Sequence, residues 1–458
     1  LFRLISGALK SYGTVIVCEA KGGVNGTKDG AAFTDLANFL QQKWPDIQFY
    51  RWPRGNCYYN PLENLSDPEF RRDFFSMLGQ VVIDKHSLDG ETAAVVYNAA
   101  SISEQLFLLQ QMLVPDRIPT LRDLVGHLSS PDAVKRMLEE SRRELPNDNS
   151  YSYRPNDELL LSIEQKLTMM NFFFLGHAQL VLTRRGVQLF KDILDHEDLL
   201  SYTEPIPNAI KLDLQSIIQQ RSLVILSQPI SKQSSTIVGP LFLDNLLYLI
   251  LQSGPYTCQQ ENQKREKVLA ILDETHRLPV GFLGQAGDFL REYNVGLVEV
   301  APTIPENQKR WDQNKHVYQT LLSLSPGIPT LTKLMHDRLP NLSVNPVVSR
   351  LIHSQSGVSR IRAERRGDYE FALAIDNPGV ASRSLQVSGK FTGLLQSSLL
   401  QSDRKLFWID FEDEALANIK GLLKKALSQG ASSKDKNIVD YALGLDELKY
   451  DKLSSNLC

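Results

Sequence analysis

Apolar residues along this chain change their spacing several times, and each change marks an element. Leu1, Leu4, Ile5, Leu9 and Tyr12 recur at helical spacing, which predicts a helix over 1–12. A glycine then opens the β-branched run Gly13-Thr-Val-Ile-Val-Cys18, the pattern of a strand buried on both faces. Phe33, Leu36, Ala37 and Leu40 share one face of a helix over 31–44. Ile47-Gln-Phe-Tyr50 is a second short strand, and Asn60-Pro-Leu62 an extended turn. From Ser66 to about Leu200 the period is helical almost throughout, with Thr120 as an N-cap before Leu121 and Ser130-Pro131 as another helix start. Ser222-Leu-Val-Ile-Leu226 returns to strand texture, backed by an apolar helix over 237–251. Val268-Leu-Ala-Ile-Leu272 is the next buried strand, followed by a helix over 281–292 and a strand from Val295 to Ala301 that carries Glu299. After Pro326 the pattern loosens into short apolar runs among Ser, Asn, Arg and Gly. Lys405 to Ile409 reads as a strand, Glu414 to Leu427 as a helix, Ser432 to Lys436 as a polar break, and the tail past Tyr450 as loose.

Strand, helix, strand in this order is the unit of a parallel sheet, so the fold class is α/β. Residues 1–65 and 206–326 read as two parts of one sheet-based core, 66–205 as an all-α insertion, and 327–458 as a C-terminal α+β extension of unknown role. The 458 residues are enough for several domains, and 42% apolar with 22% charged residues is a globular composition. A net charge of -3 argues against a general polybasic coat and leaves room for a local basic channel. Cys18, Cys57, Cys258 and Cys458 stand far apart, which favours reduced thiols over a zinc site or disulfide scaffold. No signal peptide is evident. The best candidate for a membrane span, Leu167 to Leu182, is interrupted by Asn171, His177 and Gln179 and falls short of the ~20 residues a span needs. Because the chain opens on Leu1 inside a helical pattern, it is read as part of a longer protein.

The candidate chemistry lies at strand ends. Asp273-Glu274 closes the 267–272 run, where open α/β sheets bind their ligands. In nucleotide hydrolases the first such acid holds Mg²⁺ and the next polarises the attacking water. Two solvated acids opening a loop are the plainer alternative. Glu19-Ala-Lys-Gly-Gly23 forms a tight polar loop at the same edge. His276 lacks an H-x-x-x-H partner and reads as a polar residue of a helix start. Phe172-Phe-Phe174 reads as helical core, and Asp410-Phe-Glu-Asp-Glu414 resembles a second acidic strand end but is read as a solvated helix N-terminus.

This order of elements resembles the type IV coupling proteins, the TraG/TraD-type conjugative DNA-transfer ATPases of the HerA/FtsK group. The resemblance rests on Val15-Ile-Val-Cys-Glu-Ala-Lys-Gly22 (the family has Asp-Pro-Lys-Gly), Asn60-Pro-Leu62, Ser222 to Leu251, and Asp273-Glu274 with Arg277-Leu278. It covers about residues 1–325 and implies a RecA-like P-loop NTPase core that uses ATP and Mg²⁺. Asp273 is then the Mg²⁺ ligand and Glu274 the residue for the hydrolytic water, together the Walker B pair. Arg291, in Leu290-Arg-Glu-Tyr-Asn-Val-Gly296, matches a finger that reaches the neighbouring subunit's nucleotide; the alternative is a surface charge paired with Asp288. Lys21, with Glu19 beside it, falls near the nucleotide or the subunit interface, or is a solvated loop lysine. The implied partners are single- or double-stranded DNA, relaxosome or secretion-channel proteins, and further copies in a homo-hexamer. The implied location is the cytoplasmic face of the bacterial inner membrane, with membrane contact only through segments outside this sequence.

Two features depart from the family. No G-x-x-x-x-G-K-[ST] occurs, and Ser388-Gly-Lys-Phe-Thr392 is no phosphate cradle. The family's phosphate loop precedes the helix that opens this chain, so it is expected upstream of Leu1. Pro302 stands where the family has the Gln of Ala-Thr-Gln-Ser, with Thr303 and Gln308 nearby as substitutes. Two further readings therefore stay open: a non-hydrolysing homologue that serves as a scaffold, and a soluble HerA- or FtsK-like DNA translocase.

Overall fold

The computed structural model describes residues 1–19, 28–88, 90–129, 139, 188–227, 237–259, 265–273, 290, 292–300, 320–323, 392–397, 406–410, 419–428, 431–443 and 445. The chain divides into two compact units, Leu1–Pro302 with Lys420–Cys458, and Thr303–Ile419.

The first unit is built on five strands in the order β2-β5-β1-β6-β7, every neighbouring pair parallel. These are β1 (Gly13–Glu19), β2 (Gln48–Trp52), β5 (Ser222–Ser227), β6 (Lys267–Asp273) and β7 (Val295–Val300). Every residue of β1 and β5 is buried, as expected of inner strands covered on both faces. On the edge strand β7, Glu299 is only partly buried.

Alternation along the strands sorts the side chains onto two faces. Ile16, Cys18, Tyr50, Trp52, Val224, Leu226, Ala270 and Leu272 share one face and belong to one continuous core with Phe74, Phe75, Phe107 and Phe242. Those last four lie on α3 (Pro68–His86), α4 (Gly90–Leu113) and α8 (Val238–Gln252). α1 (Phe2–Ser11) packs on β1, and α2 (Lys28–Lys43) packs on β2 and β5. Ile5, Leu9, Leu36 and Leu40, from α1 and α2, are fully buried. Gly13 turns the chain from α1 into β1 at φ +79°, and the Glu266 side chain occupies the space a Cβ would need.

Among the described residues between 66 and 205 the regular elements are helical. Asp67 caps α3 by accepting from the Phe70 N–H at 2.8 Å. Thr120 caps α5 (Leu121–Leu128) in a reciprocal box with Asp123, where the pattern predicts a cap. A four-residue α6 (Glu197–Leu200) follows. β3 (Cys57–Tyr58) pairs in parallel with β4 (Ile210–Lys211), an element the sequence pattern misses because two residues carry no period. α7 (Leu214–Gln219), capped by Asp213, then leads into β5. The Asn60-Pro-Leu62 turn is held by buried hydrogen bonds: Asn60 Nδ2 donates to Pro119 O at 2.9 Å, and Asn245 Nδ2 on α8 donates to Pro61 O and Tyr59 Oη, both at 2.7 Å.

Two helices close the first unit's part of the chain, α9 (Ile419–Leu427) and α10 (Ser433–Leu443). The expectation of a polar break over Ser432–Lys436 is overturned. Ser432 and Asp435 cap each other, Asp435 N–H to Ser432 Oγ at 3.2 Å and Ser432 N–H to Asp435 Oδ2 at 3.2 Å, so the polar stretch is a helix start. α10 packs against α1, buries Val439 and Ala442 completely, and its Asp440 pairs with Lys43 of α2 at 2.6 Å. The second unit contains β8 (Thr320–Ser323), β9 (Thr392–Ser397) and β10 (Leu406–Asp410), an antiparallel sheet in the order β10-β9-β8. Among the described residues no helix is long and apolar enough to cross a membrane. The expected helix over 281–292, the helix start at Ser130-Pro131, Phe172–Phe174, His276, Ser388–Lys390 and the tail past Tyr450 lie outside the described residues, apart from Leu290 and Glu292.

Candidate site at the carboxyl edge of the sheet

Each inner strand is apolar through its middle and turns polar at its carboxyl end. β1 ends in Glu19, β5 in Ser227 and β6 in Asp273. The register makes these ends meet. Glu19 pairs with Ser227, and the Cys18–Leu272 pair sets Glu19 level with Asp273. Residues level with one another on parallel strands point to the same face. Arg51, level with Ile225, shares that face one residue from the end of β2. The face is the one opposite the aromatic core, and Thr34 of α2 meets it.

Arg51 organises this edge. From the outer strand β2 its Nε donates to Ser227 Oγ at 2.9 Å and its Nη1 to Thr34 Oγ1 at 2.8 Å. Its Nη2 lies 3.8 Å from Glu19 Oε2. The Glu19 side chain is only 1% exposed. A carboxylate at that depth costs several kcal/mol unless a cation faces it, and Arg51 is such a cation. Asp273 is half-buried.

The donors at this edge are oxygens: two carboxylates and a hydroxyl. That set suits a hard cation such as Mg²⁺. No group of three or more His, Cys, Asp or Glu able to hold a metal occurs among the described residues. Such an ion would thus take further ligands from water and phosphate, which is usual for Mg²⁺ bound with a nucleotide. The residues therefore fit a hydrated Mg²⁺ at this edge. Thiolate chemistry does not fit: burial pushes Cys57 up to about 12 and Cys18 well above the usual thiol range.

Of the sequence candidates, Glu19 and Asp273 are described, and they close the neighbouring strands β1 and β6. Lys21, Glu274, Arg291 and Pro302 lie outside the described residues. Arg51, Thr34 and Ser227 escaped the sequence reading. The signal available for Arg51 was a lone charge within Gln48-Phe-Tyr-Arg-Trp52, otherwise a strand-like run.

No protein-family profile matches the chain, and no curated protein matches it. Similar solved structures include the bacterial conjugative coupling protein TrwB in an unbound form, at 12% identity and a TM-score of 0.36, with 71% of this chain and 72% of that chain covered. TrwB in complex with the non-hydrolysable ATP analogue ADPNP is similar at 14% identity and a TM-score of 0.35, with 71% of this chain and 73% of that one covered. VirB4 of Thermoanaerobacter pseudethanolicus is similar at 13% identity and a TM-score of 0.38, over 76% of this chain and 78% of that one. At these TM-scores the likeness assigns no activity to this chain, whose own sheet, parallel throughout in its first unit and flanked by helices, establishes an α/β fold.

Proposed function

We propose that the protein is a nucleotide-hydrolysing motor of the coupling type, which uses ATP to move DNA toward a secretion or conjugation channel. The observation that carries this reading is the register of β1 and β6, which sets the strand-end acids Glu19 and Asp273 level at the carboxyl edge. In this reading Asp273 holds Mg²⁺ and Glu274 orients and deprotonates the hydrolytic water. When bound, the ion supplies positive charge against the phosphate oxygens. Lys21 faces the nucleotide or the subunit boundary, and Arg291 acts on the nucleotide of the adjacent copy in a ring of six. DNA contact in such a ring is phosphate-directed and tolerant of sequence. The working place is the cytoplasmic face of a bacterial inner membrane.

ATP turnover of the full-length protein, with and without single-stranded DNA, tests this reading. The expected result is DNA-stimulated hydrolysis that falls ~10²–10⁴-fold in Glu274→Gln, the range for losing a general base, while nucleotide binding persists. A second reading, a scaffold without hydrolysis, is favoured by Pro302, which offers no polar group at the sensor position. A folded, assembled protein with no turnover would establish the scaffold and remove the motor.

A further inference from the structure

Arginines at the two ends of the sheet hold different partners. Arg265 is 3% exposed and donates to Ser253 Oγ and to the carbonyls of Tyr293 and Glu266. The half-buried Arg221 donates twice to Leu9 O, lies over the Trp44 ring and pairs with the exposed Asp46 at 3.4 Å. Both tie backbone segments together. Arg51 instead reaches three side chains from three different elements, Ser227 of β5, Thr34 of α2 and Glu19 of β1. Two hydroxyls fix the plane of the guanidinium, so its third nitrogen meets Glu19 from one direction. A planar fork of donors is suited to this, and a lysine is not.

We propose that Arg51 is a positioning residue for the hydrolytic site: clamped by Thr34 and Ser227, it draws the Glu19 carboxylate toward β2 and so fixes its spacing from Asp273. The proposal rests on the nucleotide-hydrolase reading above. Glu19 and Asp273 carry the same charge on neighbouring strands. A cation on the far side of Glu19 draws its carboxylate away from Asp273, in the same direction as their repulsion. Arg51 supplies that cation from the β2 side, opposite β6 across β1. The two carboxylates are thereby kept apart at the edge, with a spacing that a hydrated cation would occupy. Arg51 also links α2 to the strand ends through Thr34, so a shift of α2 reaches Glu19 without breaking the sheet.

The test is a cycle of Arg51→Gln, Glu19→Gln and the double substitution in the full-length protein, with Arg51→Lys as the conservative variant. Three quantities are read: thermal stability, Mg²⁺-dependent binding of a fluorescent non-hydrolysable ATP analogue, and kcat and KM for ATP. Arg51→Gln is expected to lose stability, and the double substitution to regain it, because the buried charge leaves with its partner. The double substitution is nevertheless expected to stay ~10–100-fold down in kcat, the range for supporting residues of metal sites, with KM within about twofold and weaker Mg²⁺ dependence of analogue binding. Arg51→Lys should fold and recover part of the turnover. If kcat and Mg²⁺ dependence return together with stability in the double substitution, the pair is only a structural tie and the proposal fails. Additive stability changes across the cycle would overturn it as well. An inactive wild-type protein would instead remove the hydrolase reading, and this role with it; failure of Arg51 alone leaves that reading standing.

Discussion

The two ends of the five-stranded sheet handle buried polar groups in opposite ways. At the amino end, polar side chains close mainly onto the backbone, with an exposed Arg221–Asp46 pair beside them. Thr14 Oγ1 donates to Ile217 O at 2.8 Å, Arg221 to Leu9 O, and Arg265 to Tyr293 O and Glu266 O. Arg265 has no carboxylate in hydrogen-bond reach among the described residues; neutral acceptors and the Tyr256 ring surround it, and burial lowers it to about 10. At the carboxyl end, side chains meet side chains, with Arg51, Ser227, Thr34 and Glu19 in one group and Asp273 level with it. Neutral acceptors from the backbone make a fixed joint. Carboxylates kept at the carboxyl edge of a parallel sheet make a place for a charged ligand. Burial is common to both ends, so burial alone does not mark the site; the chemistry of the partners does.

Substitutions at the two ends should therefore separate activity from stability. Under the proposed function, Asp273→Asn gives the largest effect: turnover falls by at least the ~10–100-fold of a supporting residue, while the melting temperature moves little. Steady-state kinetics beside a thermal scan checks both halves. Arg265→Met should do the reverse, costing about 3 kcal/mol by leaving buried carbonyls unsatisfied, with kcat per folded molecule unchanged. A denaturation series corrected for folded fraction tests it, and a specific loss of kcat would break the contrast between the ends. Asn245→Leu removes the only side-chain donor that the described residues show for Pro61 O and should cost about 2 kcal/mol, read as a lower denaturation midpoint.

The smallest expected effect concerns acid stability at α10. A hydrogen bond from Lys425, then one from Ser432, holds the Asp435 carboxyl at about 2, below its ordinary 3.8. Its folded value is depressed, so the stabilisation is present above about 3.8 and is lost as pH falls toward about 2. Asp435→Asn should flatten that part of a stability-versus-pH curve and leave the neutral region nearly unchanged. A variant that keeps the wild-type slope between those values would show that Asp435 carries none of it.

How much of this was legible beforehand depends on the range of each interaction. The buried strands were legible because runs such as Val15-Ile-Val-Cys18 and Val268-Leu-Ala-Ile-Leu272 leave no amphipathic alternative. Asp273 and Glu19 were legible as acids at strand ends. Ser432 to Lys436 misled because a helix start is itself polar: its cap and first turn face water. β3 and β4 were invisible because a two-residue strand is defined only by its distant partner. Arg51 was invisible as a site residue for the same reason, since Ser227 is 176 positions away along the chain.

What the sequence determined by itself is local: the α/β class, the strand runs, the caps at Asp67 and Thr120, and the acids that close two strands. The strand order β2-β5-β1-β6-β7 and its register were decided only in the tertiary structure. They place Arg51, Glu19 and Asp273 along one edge. Such pairings between distant strands arise when the whole sheet buries its two faces together, and no stretch of the chain encodes them alone.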